Sequence, residues 1–256
     1  DTGDGGIWVW GYTAQLGGGF TAPLSAEGRR ASQIVGASGA LGALSAGALT
    51  GDPASAYGGY GGWQVPDIVG NLRVDQAWGG AQIMGALHED NGLYYGTTPL
   101  TGHPSDAWGW VIGAGLKINT PFISQGDYLD AEANYTQGAL KYLWDANPSN
   151  EQGVNGATEG FGIMSDCVYG GTVGAGATGC QLTSAWEIDV GYEHYWTPQW
   201  HESFVFNGMW TKYGTSGNNM LCSAEGAGNG LAGSAAVALA GCNNNWDDYG
   251  GGSRLQ

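Results

Sequence analysis

The chain has little positive charge. Lys and Arg number 7 against 23 Asp and Glu in 256 residues, which gives a formal net charge of -16. Proteins bind nucleic acids through clusters of basic side chains that neutralise phosphates, so this composition excludes a nucleic-acid partner. An acidic surface or an acidic pore would instead attract cations.

A long apolar run is also missing. The least polar segments, 34–51 and 228–242, are short and dominated by Gly and Ala, whereas a spanning helix needs about 20 strongly apolar residues. The sequence therefore predicts loops with short helical turns in these segments and no transmembrane helix. No signal peptide is visible at Asp1, so we expect a mature or trimmed chain.

Motifs for catalysis, cofactors and metals are scarce. The glycine runs lack the phosphate-binding form G-x-x-x-x-G-K-[ST], and no Ser/His/Asp grouping has local support. We therefore expect no catalytic residue and no cofactor. The four histidines lack metal-ligand spacing, so we predict no metal site and place them at the surface or at an interface: His88, His103, His194 and His201.

Cysteine is limited to four residues, which fall into two close pairs in Gly/Ser/Asn-rich stretches. The economical interpretation is two local loop disulfides, Cys167 with Cys180 and Cys222 with Cys242. Disulfides indicate an oxidising compartment such as a periplasm or a cell surface. Zinc binding is the alternative, although neither pair has the short CxxC spacing and no histidine lies near them.

Glycine and aromatic residues are abundant, with 50 Gly, 12 Trp and 13 Tyr. The glycines follow no G-X-Y period, which excludes a collagen-like chain. The mixture is typical of β-structure with aromatic belts and glycine-rich loops. A chain of this length suits one large all-β domain, because sandwiches and barrels commonly reach that size without splitting.

The segment AWEIDVGYEHYWTPQW, residues 185–200, has the clearest pattern. Trp186, Ile188, Val190 and Tyr192 share one parity, while acids occupy most of the other. A period of two predicts a β-strand. In a soluble sandwich the apolar face would be buried, whereas in a membrane barrel it would face lipid.

Eight segments alternate in this way, and short turns join them in pairs: 7–16 with 20–28, 67–78 with 81–90, 108–119 with 127–144, and 185–196 with 202–214. The hairpins are separated by long irregular stretches at about 29–66, 91–107, 145–184 and 215–256. Long structureless loops are uncommon in compact soluble domains. Outer-membrane barrels combine tight turns at one rim with long loops at the other, so the pattern favours an antiparallel up-and-down transmembrane β-barrel.

Aromatic residues gather towards the strand ends, as girdles at the two bilayer interfaces require. The predicted interface residues are Trp78, Trp108, Trp110, Trp144, Trp186, Trp196 and Trp210. A soluble sandwich with a Trp-filled core remains open from periodicity alone.

The segments 66–88, 108–140 and 185–200, together with the cysteine-bearing loops 166–180 and 221–242, resemble the alphaproteobacterial general porins of the outer membrane. The resemblance implies sixteen-stranded barrels that assemble as homotrimers in the bilayer of Gram-negative bacteria. It also implies passive diffusion of small hydrophilic solutes and ions. Relative to that family, the chain starts at the end of the pore-constricting third loop and stops in the seventh. We therefore expect a fragment that forms either a half-barrel sheet or a small closed barrel.

Within a porin, the polar parity would face an aqueous pore and tune its selectivity. The predicted pore-lining residues are Arg73, Asp75, Lys117, Asp130, Glu132, Glu187, Asp189 and Glu193, with Arg29 and Arg30 near a rim. Acids outnumber bases in this set, so we expect a preference for cations. Arg73 and Asp75 share a face and are expected to form a pair on the wall.

A secreted jelly-roll glycan hydrolase or glycan-binding domain is the alternative function. Glu187, Asp189 and Glu193 resemble the catalytic strand of laminarinase-like enzymes. The outer glutamates are six residues apart, which is roughly 20 Å along a strand at about 3.3 Å per residue. A retaining glycosidase needs its carboxylates about 5–5.5 Å apart, so the spacing argues against this mechanism.

Overall fold

A computed structural model describes residues 7–28, 33–37, 59–95, 99–143, 150–171, 177–228 and 241–256. Arg29, Arg30 and Trp144, which the sequence places near the rims, lie outside these ranges. In chain order the strands are β1 (Val9–Gly17), β2 (Phe20–Glu27), β3 (Ile34–Gly36), β4 (Asp67–Gln76), β5 (Gly79–Asp90), β6 (Ala107–Asn119), β7 (Tyr128–Gln137), β8 (Asn150–Asn155), β9 (Thr158–Ile163), β10 (Cys167–Tyr169), β11 (Gln181–Leu182), β12 (Ser184–Thr197), β13 (Trp200–Lys212) and β14 (Trp246–Leu255). In the described ranges a helix, α1, spans Thr215–Gly228, and 3₁₀ turns span Pro99–Thr101 and Leu140–Tyr142.

Most strands belong to one sheet with the order β1-β2-β4-β5-β6-β7-β12-β13-β14-β8-β9. Every neighbouring pair in it is antiparallel. The eight predicted segments are adjacent strands of this sheet, so their existence and pairing are confirmed. Within the described ranges, β1 and β9 do not pair with each other. The sheet is therefore open, so of the two expected forms the small closed barrel is wrong and an open sheet is what the described residues form.

The turns of the four predicted hairpins lie at one end of the sheet, and the long connections lie at the other. The turn rim carries the β1–β2, β4–β5, β6–β7 and β12–β13 connections, and the loop rim carries the rest. At the β4–β5 turn, Gly79 has φ +142°, and an added Cβ would press against the backbone of Lys117 on the next strand. The glycine is required there because other residues rarely adopt this conformation.

Three of the stretches predicted to be irregular contain regular structure, and the first of them, 29–66, includes the short strand β3. Residues 145–184 include the β8–β9 hairpin and two short strands, and residues 215–256 include α1 and the full-length strand β14. The prediction of structureless loops there is wrong. Strand β14 escaped notice because apolar and polar residues do not alternate regularly along its segment WDDYGGGSRL. The predicted strand 127–144 ends at Gln137, since Gly138 takes φ +74°.

Segments from the loop rim fold over one face of the sheet. This loop cap comprises residues 33–37, 138–143, 164–171, 177–183 and 215–228, and it contains a three-stranded sheet of order β11-β10-β3. Leu140, Met164 and Leu221 of the cap pack against small or slender wall residues such as Ala86 and Ala185. The main hydrophobic core therefore lies between the cap and the wall, near the loop rim.

Both predicted disulfides are present in the loop connections. Cys167 is bonded to Cys180 and Cys222 to Cys242, with Cα separations of 5.5 Å and 6.0 Å. The zinc alternative for these cysteines is therefore wrong. No helix in the described ranges is both long enough and apolar enough to cross a bilayer.

Candidate functional site

Trp186 and Glu187 are consecutive in β12 and point to opposite faces of the sheet. The cross-strand register extends these faces over the neighbouring strands, because directly opposed residues lie on the same side. Trp186 is opposite Tyr135 on β7 and Trp210 on β13. Glu187 is opposite Asn134 and Met209. We call these the apolar face and the polar face, respectively.

The apolar face is a continuous surface of large hydrophobic side chains that no described residue covers. Each of the following is between 39 % and 61 % exposed: Leu24, Ile68, Leu72, Ile83, Leu87, Ile112, Leu116, Trp186, Ile188, Phe204 and Phe206. A soluble protein rarely exposes an apolar patch this extensive. The sandwich alternative is therefore wrong, because it requires these side chains to fill a core.

Aromatic residues border this apolar surface at both rims. Near the loop rim, the rings of Trp110, Tyr135 and Trp186 form a row of tilted contacts with centroids 5.5 Å and 4.6 Å apart, and Trp210 Nε1 donates to the hydroxyl of Tyr249 at 2.8 Å. Trp108 also lies on this face at the loop rim. Trp78 and Trp196 lie at the turn rim and are about half exposed or more. Each described member of the predicted aromatic set thus occupies the end of a strand or the adjoining turn.

The polar face carries all eight residues predicted to line a pore. The register places Asp75, Lys117 and Asp130 in one row across β4 to β7, and Arg73, Glu132 and Asp189 in the next row. Between them the wall is lined by residues without bulky side chains: Gly80, Gly115 and Gly191. The result is a groove of about 260 Å³ bordered by charged groups.

Both cations of this groove are paired with acids. Arg73 forms a bidentate pair with Asp75, with Nε–Oδ2 2.8 Å and Nη2–Oδ1 2.7 Å. The sequence-based prediction of this wall pair is confirmed. Lys117 Nζ lies 4.0 Å from Asp130 Oδ2 and 3.7 Å from the ring centroid of Tyr128. Within each pair the positive and negative charges cancel. The electric field in the groove therefore depends on the remaining acids.

Glu132, Glu187 and Asp189 have no Lys or Arg ion-pair partner among the described residues. The amide of Asn134 lies between two of them, and its Nδ2 donates to Glu132 Oε1 at 2.8 Å and to Glu187 Oε2 at 3.0 Å. Asn134 is itself buried. Three carboxyl groups without a Lys or Arg partner therefore lie close together at the middle of the polar face.

Glu193 belongs to a different environment at the turn rim. Its carboxylate accepts hydrogen bonds from Ser203 Oγ at 2.5 Å and from the His201 ring. Glu187 instead contacts Asn134 at the middle of the wall. The two glutamates thus lie at different levels of one extended strand and have separate partners. This agrees with the argument, made from their spacing, that they do not form a glycosidase pair.

Asp127 anchors the β6–β7 turn to β12. Its carboxylate accepts from the Tyr195 backbone N–H at 2.8 Å and from the Tyr192 hydroxyl at 2.7 Å, and it contacts His194 Nδ1 at 2.8 Å. Burial raises the pKa of this carboxyl, but the hydrogen bonds and the imidazole outweigh burial and hold the pKa below its usual range. Asp127 is therefore ionised and fully engaged at the turn rim.

Sequence reasoning missed a buried polar cluster at the loop rim. The expectation that every histidine lies at the surface or at an interface is wrong for His88, which is 4 % exposed inside the chain. His88 Nδ1 lies 2.8 Å from Asp67 Oδ1, and Asp90 and Asp166 are buried beside it. No local spacing could indicate this cluster, because Asp166 comes from a distant loop.

Comparison with known proteins agrees with this geometry. The sequence profile of the porin subfamily matches residues 5–256. No curated protein matches the chain. Among solved structures it is similar to the outer membrane channel DcaP of Acinetobacter baumannii, with a TM-score of 0.54 and 15% sequence identity over 84% of this chain and 47% of that one. The chain therefore spans about half the length of that channel, with which it shares the fold.

Proposed function

The chain belongs to the porin subfamily, whose members are outer-membrane channels and not enzymes, and on that premise we propose that its sheet forms part of the wall of a diffusion pore. Passage would be passive, for small hydrophilic solutes and ions, with a preference for cations. The exposed apolar face opposite a charged polar face is the observation that carries this proposal. The glycan-active alternative has no support, since neither the family nor the carboxylate geometry fits it.

The dimensions of the apolar face fit a bilayer. Trp186 and Trp196 lie on the same face of β12, ten positions apart, which is about 33 Å along a strand at about 3.3 Å per residue. A strand tilted by about 35–45° would then span about 23–27 Å between its aromatic ends, close to the apolar band of outer-membrane barrels. This agreement supports lipid contact on the side that carries Ile83 and Ile188.

We propose that further strands complete the barrel. An open sheet edge in hydrocarbon leaves backbone N–H and C=O groups unpaired at several kcal/mol each, so both edges of the sheet need partners. The outer membrane channel to which the chain is similar is about twice as long, which supports completion by a longer chain. The family resemblance supports a homotrimer, which chemical cross-linking of the whole protein in detergent would test.

The polar face supports the preference for cations. Arg73 and Lys117 are neutralised by their own partners, whereas Glu132 and Asp189 line the groove without a Lys or Arg partner among the described residues. Low-dielectric walls that carry one sign of charge raise the local concentration of counter-ions. The loop cap would narrow the pore at the loop rim because it covers part of the same face.

The test is the current–voltage behaviour of the whole protein in a planar bilayer. Under a KCl gradient we expect discrete, non-rectifying conductance steps and a reversal potential that shows K⁺ to be more permeant than Cl⁻. A reversal potential of the opposite sign would contradict the preference for cations. A pure, folded preparation without conductance steps would contradict the channel itself.

A further inference from the structure

Asp90 has the least satisfied carboxyl group in the described part of the chain. It lies at the loop end of β5 and is 0 % exposed. Neither Oδ1 nor Oδ2 has a hydrogen-bond partner among the described residues. A buried carboxylate without partners is strongly unfavourable, because it loses hydration and gains nothing in return.

Two further ligand-type side chains converge on Asp90. His88 comes from the same strand and face, and Asp166 comes from the loop cap. One ligand atom of each of the three residues lies within 4.8 Å of the others. Hydrogen bonds fix Asp166 in place, since its Oδ1 accepts from the Leu140 N–H at 2.6 Å and its Oδ2 from the Gln33 N–H at 3.1 Å.

The orientation of His88 is also fixed. Its Nδ1 lies 2.8 Å from Asp67 Oδ1, and the Tyr142 hydroxyl donates to Asp67 Oδ2 at 2.8 Å. A carboxylate that accepts from one ring nitrogen of a histidine sets the tautomer in which the other nitrogen can coordinate. This arrangement is the usual support of a metal-bound imidazole.

Two glycines pack closely against the Asp90 carboxylate. An added Cβ at Gly109 would lie 3.0 Å from Asp90 Oδ2, and one at Gly138 would lie 2.7 Å from it. A side chain at either position would also clash with its other neighbours, the Gly138 carbonyl or the Leu182 side chain. The two glycines thus allow three acids, Asp67, Asp90 and Asp166, to gather around one imidazole.

We propose that His88, Asp90 and Asp166 bind a divalent transition-metal ion, with Zn²⁺ as the reference ion. Imidazole suits zinc and its neighbours, whereas Ca²⁺ and Mg²⁺ prefer oxygen ligands alone. Two atoms bound at about 2.1 Å can be no more than about 4.2 Å apart, so the present separations require only small side-chain movements. Water would complete the coordination.

The ion would connect the cap to the wall. Two of its ligands belong to β5 and the third to the segment between β9 and β10. Binding would compensate the buried acids and hold the loop cap against the polar face. The proposal goes beyond conduction and does not depend on it, because it concerns how the cap is attached.

The experiment measures Zn²⁺ binding to the untagged whole protein in detergent, by titration calorimetry and by metal analysis after dialysis. The variants are Asp90→Asn and Asp166→Asn, which keep the side-chain shape and remove a charge. Asp106→Asn is the matched control, because this exposed acid also lies near the loop rim but outside the cluster. Far-UV circular dichroism of each protein establishes that it is folded.

We expect one Zn²⁺ per chain in the wild type and in Asp106→Asn, and at least a tenfold weaker affinity in both cluster variants. Co²⁺ should give visible d–d absorption in the wild type that Asp90→Asn abolishes. Limited proteolysis of the cap should slow on addition of Zn²⁺ in the wild type alone. A folded wild type that binds no Zn²⁺, or binds it equally well in the cluster variants and the control, would overturn the proposal and indicate a proton shared within the cluster.

Discussion

Ile83 and Gln82 are neighbours in β5 and face opposite sides of the wall. Ile83 is 59 % exposed on the apolar face, whereas Gln82 borders the charged groove on the polar face. Both lie near the middle of the strand. The pair therefore provides an internal comparison between the side proposed to contact lipid and the side proposed to contact water.

The first prediction compares Ile83→Lys with Gln82→Lys. Because a Lys on the lipid face near the bilayer centre costs about 2–4 kcal/mol, whereas lumen substitutions mainly change selectivity, we expect Ile83→Lys alone to destabilise the folded protein strongly. The measurement is the free energy of unfolding from urea titration in lipid vesicles. Equal losses in the two variants would refute the assigned orientation of the sheet.

The second prediction concerns the uncompensated groove acids. In the double variant Glu132→Gln/Asp189→Asn, the electrostatic energy of a cation in the groove should become less favourable by about 0.5–1 kcal/mol, so the K⁺ to Cl⁻ permeability ratio should fall roughly two- to fivefold. The reversal potential in a planar bilayer measures this ratio. Asp106→Asn, which removes an exposed acid outside the groove, should leave it unchanged.

If the double variant and the control gave the same permeability ratio, the groove acids would have no role in selectivity. High salt provides a second check, because screening weakens exposed charges. The difference between wild type and double variant should therefore shrink as ionic strength rises.

The third prediction concerns the packing of Asn134, whose amide lies between Glu132 and Glu187. An added Cβ at Gly113 would overlap Asn134 Oδ1 and lie 2.8 Å from Met84 Cε, so Gly113→Ala should displace the amide from Glu132 and Glu187. Since hydrogen bonds to charged groups contribute about 1.5–3 kcal/mol, we expect a loss of that order in the free energy of unfolding. Gly115→Ala, two residues along the same face, would meet only the flexible Gln82 side chain at 3.3 Å and should be nearly neutral. Equal losses would show that the amide bridge is not responsible.

Local alternation was sufficient to predict the hairpins and the two faces of the wall. It placed Arg73 beside Asp75 and separated Trp186 from Glu187, because strand parity is a local property of the sequence. The strand β14 was missed since its segment WDDYGGGSRL has acids at consecutive positions and glycine on both faces. Hydrogen-bonded pairing with β13, and not an alternating side-chain pattern, accounts for this strand.

The loop cap and the buried cluster could not be predicted for a different reason. Nothing in the sequence marks Ala86 and Ala185 as core residues. They belong to the core because side chains from distant loops pack against them, namely Leu140, Met164 and Leu221. Asp166 likewise meets His88 and Asp90 only after the cap folds onto the wall. Contacts of such long sequence separation leave no periodic signal.

The fourth prediction concerns acid stability at the turn rim. Because the folded state holds the pKa of Asp127 below its usual range, this carboxylate stabilises the fold fully above the unfolded pKa of about 3.9. That contribution is lost as the pH falls from there through the lower, folded pKa. Asp127→Asn does not titrate, so the variant should be less stable than wild type at pH 7, and the difference should shrink below about pH 4.

The measurement is urea unfolding of both proteins in vesicles at several pH values from 7 down to 3. Tyr192, Tyr195 and His194 face Asp127 from β12, so the variant His194→Gln serves as the control for the imidazole. It should keep most of the acid dependence, because the backbone N–H of Tyr195 and the hydroxyl of Tyr192 still favour the ionised carboxylate. If Asp127→Asn retained the full wild-type loss of stability below pH 4, that loss would arise from other carboxyls, and Asp127 would not be the group that couples the turn to pH.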